Sequence, residues 1–156
     1  MRFSATRKAI GMPFLLLAVL FFLQAAPAAA QDAGIRGGVA IDPDQIYFGG
    51  HFETSPLINR LYFRPNLEVG LGDGLTAISV NMEFVYKFPS KSRWHLYAGG
   101  GPAVNFYDHD GSDDTDTEGG LNFLVGAEQS RGLFFEFKVG AIDSPTLKFG
   151  VGWTFR

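Results

Sequence analysis

The chain has 156 residues, no cysteine, a formal net charge of −3 and 15% aromatic residues, with 16 phenylalanines. The missing cysteines exclude disulfides, thiolate metal sites and a lipidated N-terminal cysteine. The mild acidity, with no basic stripe, excludes nucleic acid as a partner.

The first 30 residues read as a secretory signal peptide. Arg2, Arg7 and Lys8 form a basic start, 14–23 is an apolar run, and Ala28, Ala29 and Ala30 supply the small residues of a cleavage site. The run is short for a membrane helix, and no basic stop-transfer flank follows it. The expected mature domain is 31–156.

From there the sequence alternates with period two, the mark of a β-strand whose side chains point to opposite faces. A first strand over 34–42 puts Ile35, Val39 and Ile41 against Arg36. A second over 45–55 sets Ile46, Phe48 and Phe52 against Tyr47, His51 and Glu53. The clearest hairpin is 61–88. Its outgoing leg sets Leu61, Phe63, Pro65, Leu67, Val69 and Leu71 against Tyr62, Arg64, Asn66, Glu68, Gly70 and Gly72. Gly72-Asp73-Gly74 turns the chain. The return leg sets Ile78, Val80, Met82, Phe84, Tyr86 and Phe88 against Ala77, Ser79, Asn81, Glu83, Val85 and Lys87.

A fifth strand over 94–107 carries Trp94, Leu96, Ala98, Val104 and Phe106 on its apolar face. It is interrupted by Gly99-Gly100-Gly101-Pro102, where a bulge is expected because proline cannot donate to a ladder. A long acidic loop is expected over 108–117. A sixth strand over 118–128 sets Leu121, Phe123 and Val125 against Glu118, Asn122 and Glu128. The seventh sets Leu133, Phe135, Phe137 and Val139 against Glu136 and Lys138, and the eighth sets Leu147, Phe149, Val151, Trp153 and Phe155 against Lys148, Gly150, Gly152 and Thr154. Eight strands with short connections predict an all-β, eight-stranded antiparallel up-and-down barrel, which leaves no unpaired edge.

Two barrels share this pattern: a transmembrane barrel with its apolar face outward, and a soluble, lipocalin-like carrier with that face around an apolar ligand. The polar face decides between them. It is dense with glycine, which suits a crowded lumen. It also carries Arg36, Arg64, Lys138 and Lys148 beside Glu53, Glu68, Glu83, Glu128 and Glu136, a nearly balanced set that reads as an interior ion-pair network. Odd connections carry Asp42, Asp44, Asp73 and Asp143 and no cation, whereas even ones carry Arg60, Lys91, Arg93 and Arg131. With the N-terminus in the periplasm, the acidic end faces outside. Aromatics Phe63, Phe84, Tyr86, Phe88, Trp94, Trp153 and Phe155 gather near the basic end, as an interfacial girdle would.

The last strand carries a motif. Lys148, Gly150, Trp153 and Phe155 resemble the assembly signal of outer-membrane β-barrels, with Arg156 as a departure because that signal normally ends on the aromatic. With the signal peptide and eight strands, the chain resembles small OmpX- or opacity-type outer-membrane barrels. The resemblance implies the outer membrane as location, membrane lipid and the barrel insertion machinery as partners, a monomer, and a structural or envelope-interaction role.

Other chemistries fit less well. Asp108, Asp110, Asp113 and Asp116 could draw a divalent cation, but Asp113 stands where a calcium loop needs glycine. A solvated acidic loop is the simpler reading. His51, His95 and His109 lack an evident serine partner in a fixed shell, so no catalysis and no cofactor are expected. A small ion channel is a further alternative, with Arg64, Glu68, Glu83, Glu136 and Lys138 as its gate.

Overall fold

Extended strands with no helix to cover them must still satisfy every backbone N–H and C=O, and closing the sheet on itself does so without an edge. The computed structural model describes residues 30–111, 115–142 and 144–156. It contains β1 (Ala30–Ile41), β2 (Gln45–Thr54), β3 (Leu61–Gly72), β4 (Leu75–Lys87), β5 (Trp94–His109), β6 (Thr115–Gln129), β7 (Leu133–Ala141) and β8 (Leu147–Phe155). Each strand pairs antiparallel with its sequence neighbours, and β8 pairs with β1 to close the barrel. Of the signal-peptide assignment over 1–30, residues 1–29 lie outside the described residues; Ala30 is the first residue of β1.

The period-two pattern is the wall itself. On β3, Arg64, Asn66 and Glu68 are buried, and the apolar residues between them are not. Phe123 and Phe149 are each 57% exposed, whereas Arg64, Asn81 and Glu83 are at 0%. Bulky apolar groups point away from the axis and polar ones toward it. A carrier enclosing an apolar ligand needs the opposite facing.

The bulge expected at Pro102 is absent. β5 keeps one register against β6 through Gly101↔Asn122, Pro102↔Leu121 and Ala103↔Gly120. Against β4 the pairing passes over Gly101 and Pro102, then resumes unshifted between Ala103↔Asn81 and Gly100↔Phe84. Proline forfeits a donor there. Gly101 keeps the two strands close, since a Cβ on it would collide with the Met82 carbonyl. The register does shift in β1, between Ala30 and Asp32.

The acidic connection is also shorter than 108–117. β5 continues to His109 and β6 begins at Thr115, with Asp108↔Thr115 and Tyr107↔Asp116 paired. The Asp110 N–H donates to the Gly74 carbonyl at 2.9 Å, tying this hairpin to the β3–β4 turn. Backbone pairing continues through the polar residues because an antiparallel ladder asks nothing of its side chains.

Candidate functional site

An eight-stranded barrel has an interior only as wide as its side chains. What fills it therefore decides what it can do. At mid-lumen, Glu68 receives Lys148 at 2.8 Å, Lys138 at 3.1 Å and Arg36 at 3.4 Å. Lys138 and Lys148 are direct cross-strand partners, a like-charge pair that is unfavourable alone. Glu68 reaches them from β3 and neutralises both. Glu83 adds contacts to Lys138 at 2.6 Å and Arg36 at 3.9 Å. Glu136 meets Arg36 at 3.0 Å, Lys138 at 3.4 Å and Arg64 at 3.6 Å.

Arg64 carries the chain of contacts onward, to Glu53 at 2.5 Å and Glu128 at 3.8 Å. Lys87 joins the same two carboxylates, pairing with Glu53 and lying 2.9 Å from Glu128. Arg156 finishes it, at 2.5 Å from Glu128 and 3.4 Å from Asp32. Arg36, Glu53, Arg64, Glu68, Glu83, Glu128, Glu136, Lys138 and Lys148, the nine residues assigned inward from sequence, are all buried and all lie in this network. Asp32, Lys87 and Arg156 belong to it as well and were not in that set. Lys87 sits on the inward alternation of β4, a usable signal. Nothing in the sequence tells that Arg156 turns back to the lumen mouth.

The network is framed by rings laid over glycines. Tyr97 on β5 spans Gly126 of β6 and donates its hydroxyl to Glu136 on β7 at 2.9 Å. Tyr47 lies against Gly150 of β8, and Phe134 lies against Gly152. A Cβ at Gly126 or Gly152 would occupy the ring's place, and one at Gly150 would collide with the Tyr47 hydroxyl. The Arg64 guanidinium stacks 4.8 Å from the Tyr97 ring centre and 5.8 Å from Phe134. Val85, Tyr97 and Leu124 form an apolar cluster inside the barrel, and Phe134 is buried too. The inward placement of Phe134 and Leu124 was not read from sequence. Each stands in an unbroken apolar run, Leu133-Phe134-Phe135 and Phe123-Leu124-Val125, where period two cannot be seen.

A second motif crosses the lumen on amides. Asn122 Nδ2 donates to Asn81 Oδ1 at 2.8 Å, Asn81 Nδ2 donates to Asn66 Oδ1 at 2.7 Å, and Asn66 Nδ2 donates to Glu83 at 2.8 Å. Asn81 and Asn122 stand on β4 and β6, so they meet across β5. Its inward Gly101 and Ala103 leave them room.

At the end where β1 begins and β8 ends, a cavity of about 830 Å³ opens, lined by Asp32, Glu53, Lys87, Glu128 and Arg156 together with Arg60, Tyr62, Phe88, Lys91 and His95.

His51 is buried and 3.1 Å from the Thr154 hydroxyl, edge-on to Phe134 at 5.4 Å. Its Nδ1 has no hydrogen-bond partner among the described residues. A catalytic base needs a third group at that nitrogen to orient it. Asp108 and Asp116 are built into strand ends, and Asp113 lies outside the described residues. Among the described residues no cluster of three or more His, Asp or Glu is arranged to hold a metal. Within the C-terminal motif, Lys148 and Gly150 face the lumen, whereas Trp153 and Phe155 face out.

A closed antiparallel barrel of eight strands with a polar lumen is thus the class of this protein. Among solved structures, it is similar to Neisserial surface protein A, with a TM-score of 0.64 and 17% identity over 80% of this chain and 94% of that one. It is also similar to the N-terminal β-barrel domain of Pseudomonas aeruginosa OprF, with a TM-score of 0.60 and 14% identity over 81% of this chain and 99% of that one. At such identities the likeness is one of fold, and it does not single out the OmpX- or opacity-type subgroup. No family model and no curated protein matches the chain.

Proposed function

We propose that the protein is a non-enzymatic outer-membrane β-barrel with a structural or envelope-interaction role and a lumen filled by its own side chains. The observation that carries this reading is the facing: Ile46, Phe48, Phe123 and Phe149 stand exposed around a wall whose interior holds paired charges. In water such a surface would aggregate. In hydrocarbon it is the favourable arrangement, and a closed ladder of 9 to 16 residues per strand satisfies the backbone there. Tyr86 and Phe88, 5.3 Å apart, and Trp94 and Phe135, 6.1 Å apart, support an interfacial girdle near the terminal end. The signal-like N-terminus and the β8 motif support export and delivery to the barrel insertion machinery, and the closed sheet supports a monomer.

Cell fractionation tests the reading. The protein is expected in the outer-membrane fraction, extractable only with detergent, with a gel mobility that changes on boiling. Recovery as a folded protein in the aqueous extract would overturn it. The filled lumen is tested in planar bilayers. The wild-type chain is expected to pass no steady current, and steps abolished by Glu68→Ala or Lys138→Ala would show instead a channel gated by the network.

A further inference from the structure

The mouth of the barrel at the terminal end has an imbalance that the filled lumen does not use. Every acid on its cavity wall is already engaged: Asp32 by Arg156, Glu53 by Arg64 and Lys87, and Glu128 by Lys87 and Arg156. Arg60 and Lys91 line the same cavity, are exposed, and have no ionic partner among the described residues. A group entering here meets unpaired positive charge above a neutral floor. Such a mouth favours an anion.

The β2–β3 connection that presents Arg60 is unusual. Ile58 and Leu61 bridge, with the Leu61 N–H donating to Ile58 at 2.8 Å, so Asn59 and Arg60 are the two central residues of a tight hairpin turn. Both have positive φ, 31° and 71°. Such a turn favours Asn-Gly, and an arginine in the second position is locally disfavoured. The Arg60 carbonyl accepts the Lys87 N–H at 3.0 Å, which fixes the turn against β4.

Beside Arg60 the turn is greasy. Ile58 is 73% exposed, the highest value of any large apolar side chain among the described residues, and Leu57 is 52% exposed. Phe88 joins the two environments: it lines the cavity, and its ring packs edge-on to Tyr86 of the outer wall. The cavity is therefore continuous with the apolar surface. A ligand that suits it has an anionic head and a hydrocarbon body.

We propose that Arg60 and Lys91 form a headgroup site for an anionic glycerophospholipid, with its phosphate over the barrel mouth and its chains along Phe88 and the Leu57-Ile58 turn. The site rests on the membrane-barrel reading. It commits to lipid rather than a free anion because of the apolar groups beside the cations. A volume of about 830 Å³ accommodates a headgroup.

The full-length mature protein, delipidated in a neutral detergent, would be titrated with phosphatidylglycerol and with phosphatidylcholine and followed by native mass spectrometry. Two juxtamembrane cations predict a preference for phosphatidylglycerol of roughly tenfold or more. The double variant Arg60→Gln/Lys91→Gln should abolish it. Arg131→Gln, on a connection that does not line the cavity, should leave it intact. Leu57→Ser/Ile58→Ser should weaken both lipids alike and keep their ratio. Equal binding of the two lipids, or a loss with Arg131→Gln as large as with the double variant, would overturn the site while the detergent requirement still upheld the membrane barrel. Glycerol phosphate binding as tightly as the whole lipid would overturn the lipid assignment. A chain soluble without detergent would remove the reading beneath it.

Discussion

The two halves of the lumen are built from different chemistry. From Glu68 and Lys148 down to the terminal mouth, the interior is ionic: each buried glutamate touches two or more cations. From Ser79 toward the opposite mouth the buried side chains are neutral, Gln45, Ala77, Ala103, Asn105 and Tyr107, and the one inward charge before the rim is the half-buried Glu118 opposite Asn105, among the described residues. The loops invert the contrast, since the neutral half ends in acidic connections and the ionic half in basic ones. Both halves are equally buried, so burial alone does not set their tolerance to change. The distinction lies in what is left behind when a partner goes. An orphaned charge in a dry interior is far more costly than an orphaned hydroxyl.

The largest effect is expected at Glu68. Glu68→Gln removes the counter-charge shared by Arg36, Lys138 and Lys148, and leaves two lysines opposed across β7 and β8. Loss of one partner from a buried ion pair costs about 3–5 kcal/mol. Urea unfolding of the detergent-solubilised protein, followed by the boiling-dependent gel shift, would measure it. A change below about 1 kcal/mol would mean that water or counter-ions reach the network, and the contrast between halves would fall.

Next is the amide ladder, which is buried without being charged itself. Asn81→Ala strands the Asn122 donor and the Asn66 acceptor together. A loss of about 2 kcal/mol in the same unfolding assay is expected, from the desolvation of groups left unpaired. Tyr97→Phe comes third, at about 1.5 kcal/mol, the low end for a hydrogen bond to a charged acceptor. Glu136 keeps Arg36, Arg64 and Lys138, so the hydroxyl is one donor among several. The aromatic ring stays in its slot over Gly126.

The sequence announced the wall better than its filling. Strand number, facing and the inward charges follow from period two, because a strand has only two faces and an outer surface and a packed lumen demand opposite things of them. Three features escaped for a common reason. Phe134 and Leu124 are masked by apolar neighbours, and the slot for Phe134 is made by Gly152 on another strand. Arg156 acts beyond the end of its own alternation. Pro102 suggests a bulge on its own strand, but Gly101 and the Met82 carbonyl opposite hold the register. Each depends on which residue lies across the ladder, and local pattern does not carry register.

The smallest effect is expected at Ser79, and its position makes it the sharpest test. Ser79 is the direct cross-strand partner of Glu68, on the same inward face and buried to a similar degree. It takes part in no ion pair, and Ala would leave no charge unpaired. Ser79→Ala should change stability by no more than about 0.5 kcal/mol, measured beside Glu68→Gln in one detergent and one assay. Depth, strand pairing and access to solvent are then held nearly constant, and only the ionic role differs. If both substitutions cost the same, packing at that level of the barrel governs stability and the ion pairs add nothing specific. If they separate by several-fold, the boundary between the two halves runs between these neighbours, and it is electrostatic.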